Sequence, residues 1–137
     1  MAKAPESKAR AGAGILYIPH VIGIWQNSKL MADSFAASGY TTLIIDPFNG
    51  DPVPLNNKGP FDFMKWLNEG SDGKNPHTTA QVDPIVVAGI KALRELGVDK
   101  IAAVGYCFGA KVRLPLFVFF FFFSFSSVVT VSCLAAD

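Results

Sequence analysis

The residues best suited to chemistry in this sequence are Gly105, Cys107 and Gly109, which form a G-x-C-x-G pattern after the apolar segment 100–104. Glycine at both flanks suits a strand-to-helix turn so tight that the central residue is strained and its neighbours come close to each other. Such a nucleophile elbow raises the central side chain above the carboxyl end of a sheet, at a helix N-terminus that favours an anion. The pattern therefore predicts a nucleophilic thiolate at Cys107. The alternative is a buried structural thiol, which is common for free cysteines.

Alternating apolar segments precede this pattern and indicate how the chain would position it. In chain order the predicted elements are strand 15–19, helix 27–38, strand 41–46, helix 61–70, helix 78–96 and strand 100–104. Asn27 or Ser28 is the expected N-cap of the first helix, and Pro84 is expected to kink the last helix or to mark its start. Prolines and glycines make 47–60 a long loop. Apolar strands separated by helices predict an α/β fold with a parallel sheet covered on both faces.

The overall composition is that of one modest domain with little net charge. The 137 residues include 12 Lys and Arg against 11 Asp and Glu, which leaves a charge of +1. This balance gives no sustained positive field, so nucleic acid is not an expected partner. The first ten residues are polar, the apolar run 15–18 is too short for a secretion signal, and two cysteines are too few for a disulfide framework. We therefore expect a cytoplasmic location.

Residues 20–111 resemble the dienelactone hydrolases of the α/β-hydrolase superfamily, and most of all their fungal members. The resemblance runs through IPHVIGIWQNSKLMADSFAASGY, TTLIIDPFNGDPVPLN and VDPIVVAGIKALRELGVDKIAAVGYCFGAK, of which DPFNGDPVP and GYCFGAK are the most specific pieces. It implies a partial α/β-hydrolase fold with three α/β/α layers and a mostly parallel sheet. It also implies hydrolysis of a small carboxylic ester or lactone through an acyl intermediate on cysteine, without a metal or cofactor.

Position by position, the resemblance places the family nucleophile on Cys107 and one oxyanion-hole donor on the backbone N–H of Phe108. The second donor falls on the N–H of Val21, in the loop after the first strand. His20 stands where bacterial members carry an acidic residue that interacts with the cysteine. An imidazole and a carboxylate bias thiol ionisation differently, so His20 either acts beside Cys107 or is a solvated loop histidine. We expect His20 near Cys107 at the carboxyl edge of the sheet.

Other polar and aromatic residues favour structural roles. His77 follows an Asn-Pro pair and is interpreted as a loop or helix-start residue. Asp46 and Asp51 flank the DPFNG turn, where Asp side chains bond their own backbone. Trp25 and Trp66 could line a substrate pocket, but core positions are expected for them.

The acid and the base of the superfamily follow the nucleophile in the chain. Residues 108–137 contain no histidine, and their only acid is Asp137. We therefore divide the chain into a polar segment 1–14, an incomplete hydrolase domain 15–111 and a Phe-rich tail 112–137 outside the resemblance. An uncharged tail of this length could anchor in a membrane. A translated pyrimidine tract gives the same composition, so we favour a retained intron or frameshift and expect no defined packing partner for the tail.

Two functions follow from these observations. The first is a cysteine-dependent ester or lactone hydrolase present as an incomplete domain, which we expect to be inactive alone and prone to aggregate through exposed edges. The second is a non-catalytic fragment, or a binding protein attached to a membrane by its tail. A His and an Asp encoded downstream would distinguish the two.

Overall fold

A computed structural model describes residues 1–56 and 59–110 of the chain. After a short 3₁₀ helix at Glu6–Lys8, the elements are β1 (Ala13–Ile18), α1 (Gln26–Ala37), β2 (Thr41–Ile44), α2 (Phe63–Glu69), α3 (Thr79–Glu95) and β3 (Lys100–Gly105). Every predicted strand and helix is present in the predicted order, with ends shifted by a few residues. The expectation that the tail 112–137 has no defined packing partner concerns residues outside the described ranges.

The three strands form one parallel sheet in the order β2-β1-β3. Gly14 pairs with Thr41 on one side, and Ile18 pairs with Gly105 on the other. The last residues of β1 and β3 are therefore partners, so the loops that follow these two strands start side by side. The N-terminal segment also contributes to the sheet, because Ala2 forms an isolated antiparallel bridge with Thr42.

One face of the sheet packs against α3. Leu16 and Ile18 of β1 are fully buried in a hydrophobic cluster whose α3 members are Val82, Val86 and Leu93. Each such side chain removed from water stabilises the fold by roughly 1.5–3 kcal/mol. Close contact is possible because α3 carries Gly89 at the crossing, where a Cβ would lie 2.9 Å from Leu16 Cδ1.

The opposite face of the sheet packs against α1. Residues 16 and 17 of a strand point to opposite faces, so Tyr17 lies on the side away from α3, where its hydroxyl is hydrogen-bonded to Ser28 of α1. Helix α1 buries Ser28, Ala32 and Ala36, small residues that permit a close approach to the sheet. Helices on both faces of a parallel sheet make this a partial three-layer α/β/α fold, as predicted.

Two expected helix signals differ in the structure. The N-cap of α1 is Trp25 rather than Asn27 or Ser28, and it makes no side-chain capping bond. Ser28 instead turns inward and donates its hydroxyl to the carbonyl of Gly23 at 3.1 Å. Pro84 does not mark the start of α3, because the helix already begins at Thr79. Packing of the apolar face outweighs the single backbone bond that proline removes.

Within residues 1–56 and 59–110, none of the helices combines the length and apolar character needed to span a bilayer.

Candidate active site

Cys107 occupies the turn between β3 and a helical segment. Strand β3 ends at Gly105, and residues 108–110 are helical. The N–H of Gly109 donates to Tyr106 at 2.9 Å, and that of Ala110 donates to Cys107 at 3.1 Å. Cys107 has a φ of 52°, a left-handed conformation that is strained for a residue with a side chain. The strained strand-to-helix turn predicted at Cys107 is therefore confirmed, and the thiol is exposed.

The two glycines of the elbow are required by close backbone contacts. A Cβ on Gly105 would lie 2.5 Å from the carbonyl carbon and would overlap the carbonyl oxygen of Gly109. A Cβ on Gly109 would lie 2.8 Å from the carbonyl carbon of Ile18, at the end of β1. The turn thus folds back on itself and also rests on the neighbouring strand, which leaves no room for a side chain at either position.

Aromatic contacts hold the residues on either side of Cys107. The ring of Tyr106 lies against Tyr17, with centroids 5.3 Å apart. The ring of Phe108 lies against Phe48, with centroids 5.0 Å apart, and also packs on the main hydrophobic cluster. The backbone around Cys107 is therefore anchored by its neighbours.

The two backbone groups assigned as oxyanion donors by resemblance lie in adjacent loops. Phe108 follows β3 and Val21 follows β1, and the N–H of Tyr106 donates to Ile18 at 3.2 Å, which ties these strand ends together. Within the described ranges, neither the Phe108 N–H nor the Val21 N–H donates a hydrogen bond to another backbone or side-chain group.

His20 lies at the same carboxyl edge, and both of its ring nitrogens face donors. The indole N–H of Trp25 donates to Nε2 at 2.7 Å, and the N–H of Ile22 approaches Nδ1 at 3.2 Å. Burial lowers the pKa of His20 below its ordinary value. A neutral imidazole has one lone-pair nitrogen and one N–H, so it can accept only one of these two hydrogen bonds. The shorter contact from Trp25 assigns the lone pair to Nε2 and the proton to Nδ1, so the Ile22 contact is not a hydrogen bond in that tautomer. Since Trp25 already occupies the Nε2 lone pair, His20 can take a proton there only after that bond breaks.

The loop after β2 rests on the Val21 segment. The carboxylate of Asp46 accepts the N–H of Phe48 at 3.0 Å and that of Gly50 at 2.8 Å, which is the predicted turn role. Further on, the N–H of Val53 donates to the carbonyl of Val21 at 2.8 Å. The DPFNGDPVP stretch therefore supports the segment that carries one candidate oxyanion donor.

The sequence does not predict a contact between the buried His77 and the partly exposed Asp51. His77 is fully buried, and its Nε2 lies 3.0 Å from Oδ2 of Asp51. Asp51 is also bound by Ser71 and by the indole N–H of Trp66, which donates to the Asp51 carbonyl at 3.0 Å. Burial raises the pKa of Asp51, but hydrogen bonds from Ser71 and His77 outweigh that effect, and the pKa lies below its ordinary value.

These contacts add to the roles expected for two residues. Asp51 binds His77 in addition to lying in a turn, and His77 lies in the loop before α3, as expected, but is fully buried there. Trp66 is buried, as expected for a core position. The only signal in the sequence was the presence of one His and one Asp in two polar loops, and nothing in their spacing pairs them.

In the part of the chain that the structure describes, no three His, Cys, Asp or Glu side chains are grouped so as to hold a metal ion.

Comparison with known proteins extends the resemblance on both sides of residues 20–111. The sequence profile described as the dienelactone hydrolase family matches residues 2–118. The chain is 42% identical over 109 residues to "Hydrolase pyvD" of Aspergillus violaceofuscus, an overlap of 78% of this chain and 41% of that protein. It is 37% identical to "Dienlactone hydrolase 2" of Gibberella moniliformis, over 78% of this chain and 46% of that protein.

A more distant match is the human "Carboxymethylenebutenolidase homolog", which is 31% identical over 76% of this chain and 40% of that protein. The chain thus spans less than half the length of each of these three relatives. The match nevertheless covers most of the present sequence and includes all three strands, the Val21 segment and the elbow. The chain belongs to the dienelactone hydrolase family.

Proposed function

We propose that this chain carries the nucleophile of a hydrolase acting on small carboxylic esters or lactones, with Cys107 as that nucleophile. The observation that carries the proposal is the exposed Cys107 in left-handed backbone at the end of β3, between two glycines that tolerate no side chain. A strained and exposed residue at the carboxyl edge of a parallel sheet suits a catalytic position better than a structural one. Relatives named hydrolase and dienlactone hydrolase support the reaction class.

The proposed first step is acyl transfer to sulfur. The Cys107 thiolate attacks the ester carbonyl carbon, and the carbonyl oxygen becomes an oxyanion. The N–H groups of Phe108 and Val21 donate to that oxygen, which stabilises the tetrahedral intermediate. The carbon–oxygen bond of the ester then breaks, the alkoxide leaves and takes a proton, and a thioester remains on Cys107.

The second step, hydrolysis of the thioester, needs a base that activates water. His77 is buried against Asp51, and the Nε2 of His20 accepts from Trp25, so neither is ready to accept a proton from water. Residues 108–137 contain no histidine. We therefore expect the 137-residue chain to become acylated on Cys107 and to stop at the thioester.

The test is the reaction of the purified chain with p-nitrophenyl acetate. We expect one equivalent of nitrophenolate to be released, followed by little further turnover, and the acetyl group to be located on Cys107 by peptide mass spectrometry. Cys107→Ala should abolish the burst, whereas Cys133→Ser, which removes the other cysteine of the sequence, should retain it.

Two results would reject parts of this proposal. An acetyl group that labels Cys133 as fast as Cys107 would show that Cys107 has no special reactivity, and the non-catalytic alternative would then be preferred. Multiple turnovers that depend on Cys107 would show that a base is present in this chain, and His20→Gln would be the first variant used to locate it.

A further inference from the structure

We propose that Asp51 and the buried His77 form a positioning element that holds both oxyanion donors in place. The inference rests on the proposed function, because it assigns a purpose to the oxyanion roles of Phe108 and Val21. It adds two residues that act through the loop after β2 and that do not touch the substrate.

The histidine of the pair is enclosed, and the side chain of Asp51 is partly exposed. His77 has no exposed surface, and its ring lies 4.5 Å from that of Trp66 and 5.4 Å from that of Phe48. Its Nε2 lies 3.0 Å from Asp51, whose carboxylate also accepts the N–H of Ser71 at 2.8 Å. An ionised carboxylate only accepts hydrogen bonds, so His77 is the donor. His77 is held at Nε2, whereas its buried Nδ1 has no hydrogen-bond partner among the described residues. A fully buried side chain can hold a loop, and it cannot reach a substrate.

The first connection to the site is a backbone hydrogen bond. Two residues after Asp51, the N–H of Val53 donates to the carbonyl of Val21 at 2.8 Å. This bond fixes the peptide that precedes Ile22 and the orientation of the segment that carries the Val21 N–H. Anchoring Asp51 therefore limits the movement of the Val21 N–H.

The second connection is a row of aromatic rings. Phe48 lies between His77, at 5.4 Å, and Phe108, at 5.0 Å. The carbonyl of Phe48 also accepts the side-chain amide of Asn75 at 2.9 Å, so the ring is held from its backbone as well. A shift of His77 would thus be transmitted through Phe48 to Phe108, whose backbone N–H is the other candidate oxyanion donor.

The experiment separates oxyanion stabilisation from thiol reactivity by comparing two reactions of Cys107. Acylation by p-nitrophenyl acetate develops an oxyanion, whereas alkylation by iodoacetamide displaces iodide at a methylene carbon and develops none. The ratio of the two rate constants therefore reports on the donors and is insensitive to thiolate content. Removing one donor of an oxyanion hole costs roughly 10²–10³ in rate, so a displaced donor should cost about tenfold or more.

Three variants complete the design. His77→Leu removes the donor to Asp51, and we expect the acylation-to-alkylation ratio to fall about tenfold. His77→Gln retains a donor near the Nε2 position and should restore most of the ratio. Asp72→Asn alters an exposed turn carboxylate whose one hydrogen bond among the described residues comes from the N–H of Lys74, and it should leave the ratio unchanged.

Several results would overturn the inference. Equal losses of acylation and alkylation in His77→Leu would indicate general loosening, and an unchanged ratio would indicate no coupling. A failure of His77→Gln to improve on His77→Leu would show that the hydrogen bond to Asp51 is not what matters.

A second measurement decides the inference without any acyl transfer. Hydrogen exchange of the Val53 amide should accelerate about tenfold in His77→Leu and remain unchanged in Asp72→Asn. If the parent chain shows no preferential acylation of Cys107, the proposed function fails, and Val53 exchange alone then decides the positioning inference. Unchanged exchange in His77→Leu would reject it.

Discussion

Replacing Gly105 by alanine tests whether the elbow depends on its close backbone contacts. The added Cβ would lie 2.5 Å from the carbonyl carbon of Gly109 and 2.8 Å from the nitrogen of Ala110. Favourable contacts between such atoms lie at about 3.5–4.0 Å. The segment after Cys107 would therefore have to move by about 1 Å away from the end of β3.

The loss of unfolding free energy in Gly105→Ala depends on which atoms must move to admit the added methyl group. Forcing an extra methyl group into packed surroundings costs about 1–3 kcal/mol. Both obstructing atoms belong to the backbone and cannot swing aside as a side chain can, so we expect Gly105→Ala to cost about 3 kcal/mol, the upper end of that range. This is a large part of the stability of an ordinary small domain, which is about 5–15 kcal/mol.

Gly97→Ala provides the matched control. Gly97 has a φ of 82° and open space around its missing Cβ, so the substitution introduces backbone strain without a clash. That strain costs roughly 1–2 kcal/mol. In urea unfolding with equal slopes, the unfolding free energy of Gly105→Ala should therefore be about 1–2 kcal/mol lower than that of Gly97→Ala. A Gly105→Ala variant as stable as the control would refute the close-contact explanation.

Three further predictions concern the surroundings of the elbow. Trp25→Phe removes the donor to His20 and part of its cover, so the pKa of His20 should rise toward its ordinary value in an NMR titration; an unchanged pKa would contradict the proposed contact. Because the pKa of Asp51 is lowered in the folded chain, ionised Asp51 contributes to stability at pH values above its ordinary pKa of 3.8. This contribution is lost as the pH falls through the pKa of the folded state. Asp51→Asn should consequently lose less unfolding free energy than the parent chain on acidification. Urea unfolding at several pH values measures this loss, and parallel plots of unfolding free energy against pH for the two proteins would contradict the prediction. Cys107→Gly should be more stable than Cys107→Ala by about 1 kcal/mol, since glycine accepts positive φ without strain; equal unfolding midpoints would contradict the strain.

The elbow could be predicted because its determinants lie within five consecutive residues. Gly105 and Gly109 flank Cys107 and follow an apolar segment, so the short-range pattern already contains the turn, its strain and the end of the strand. The parallel sheet could be predicted for the same kind of reason, because each strand is mostly apolar and lacks the alternation of a half-exposed strand. Local patterns therefore account for the fold class and for the backbone of the candidate nucleophile.

The surroundings of the elbow could not be predicted, because they depend on contacts between distant loops. Asp51 and His77 are 26 residues apart, on segments without periodicity, and each alone has an ordinary turn or loop interpretation. The bond between Val53 and Val21 joins backbone groups, which carry no signature of residue type. The N-cap of α1 also differs from the prediction, because the hydroxyl of Ser28 donates to the carbonyl of Gly23 in the preceding loop and does not cap its own helix.

The strain at Cys107 is sustained by its neighbours rather than by the cysteine itself. Tyr106 packs on Tyr17, on the α1 side of the sheet, whereas Phe108 packs on the cluster beneath α3. Aromatic pairs of this kind contribute about 0.5–1.5 kcal/mol each beyond their buried area, which is enough to offset the cost of one left-handed residue. Because both anchors lie outside the thiol, Cys107 needs no packing of its own, and its side chain is left exposed at the edge where His20 and Val21 also lie. The conformation and the exposure of Cys107 are therefore set by the fold around it.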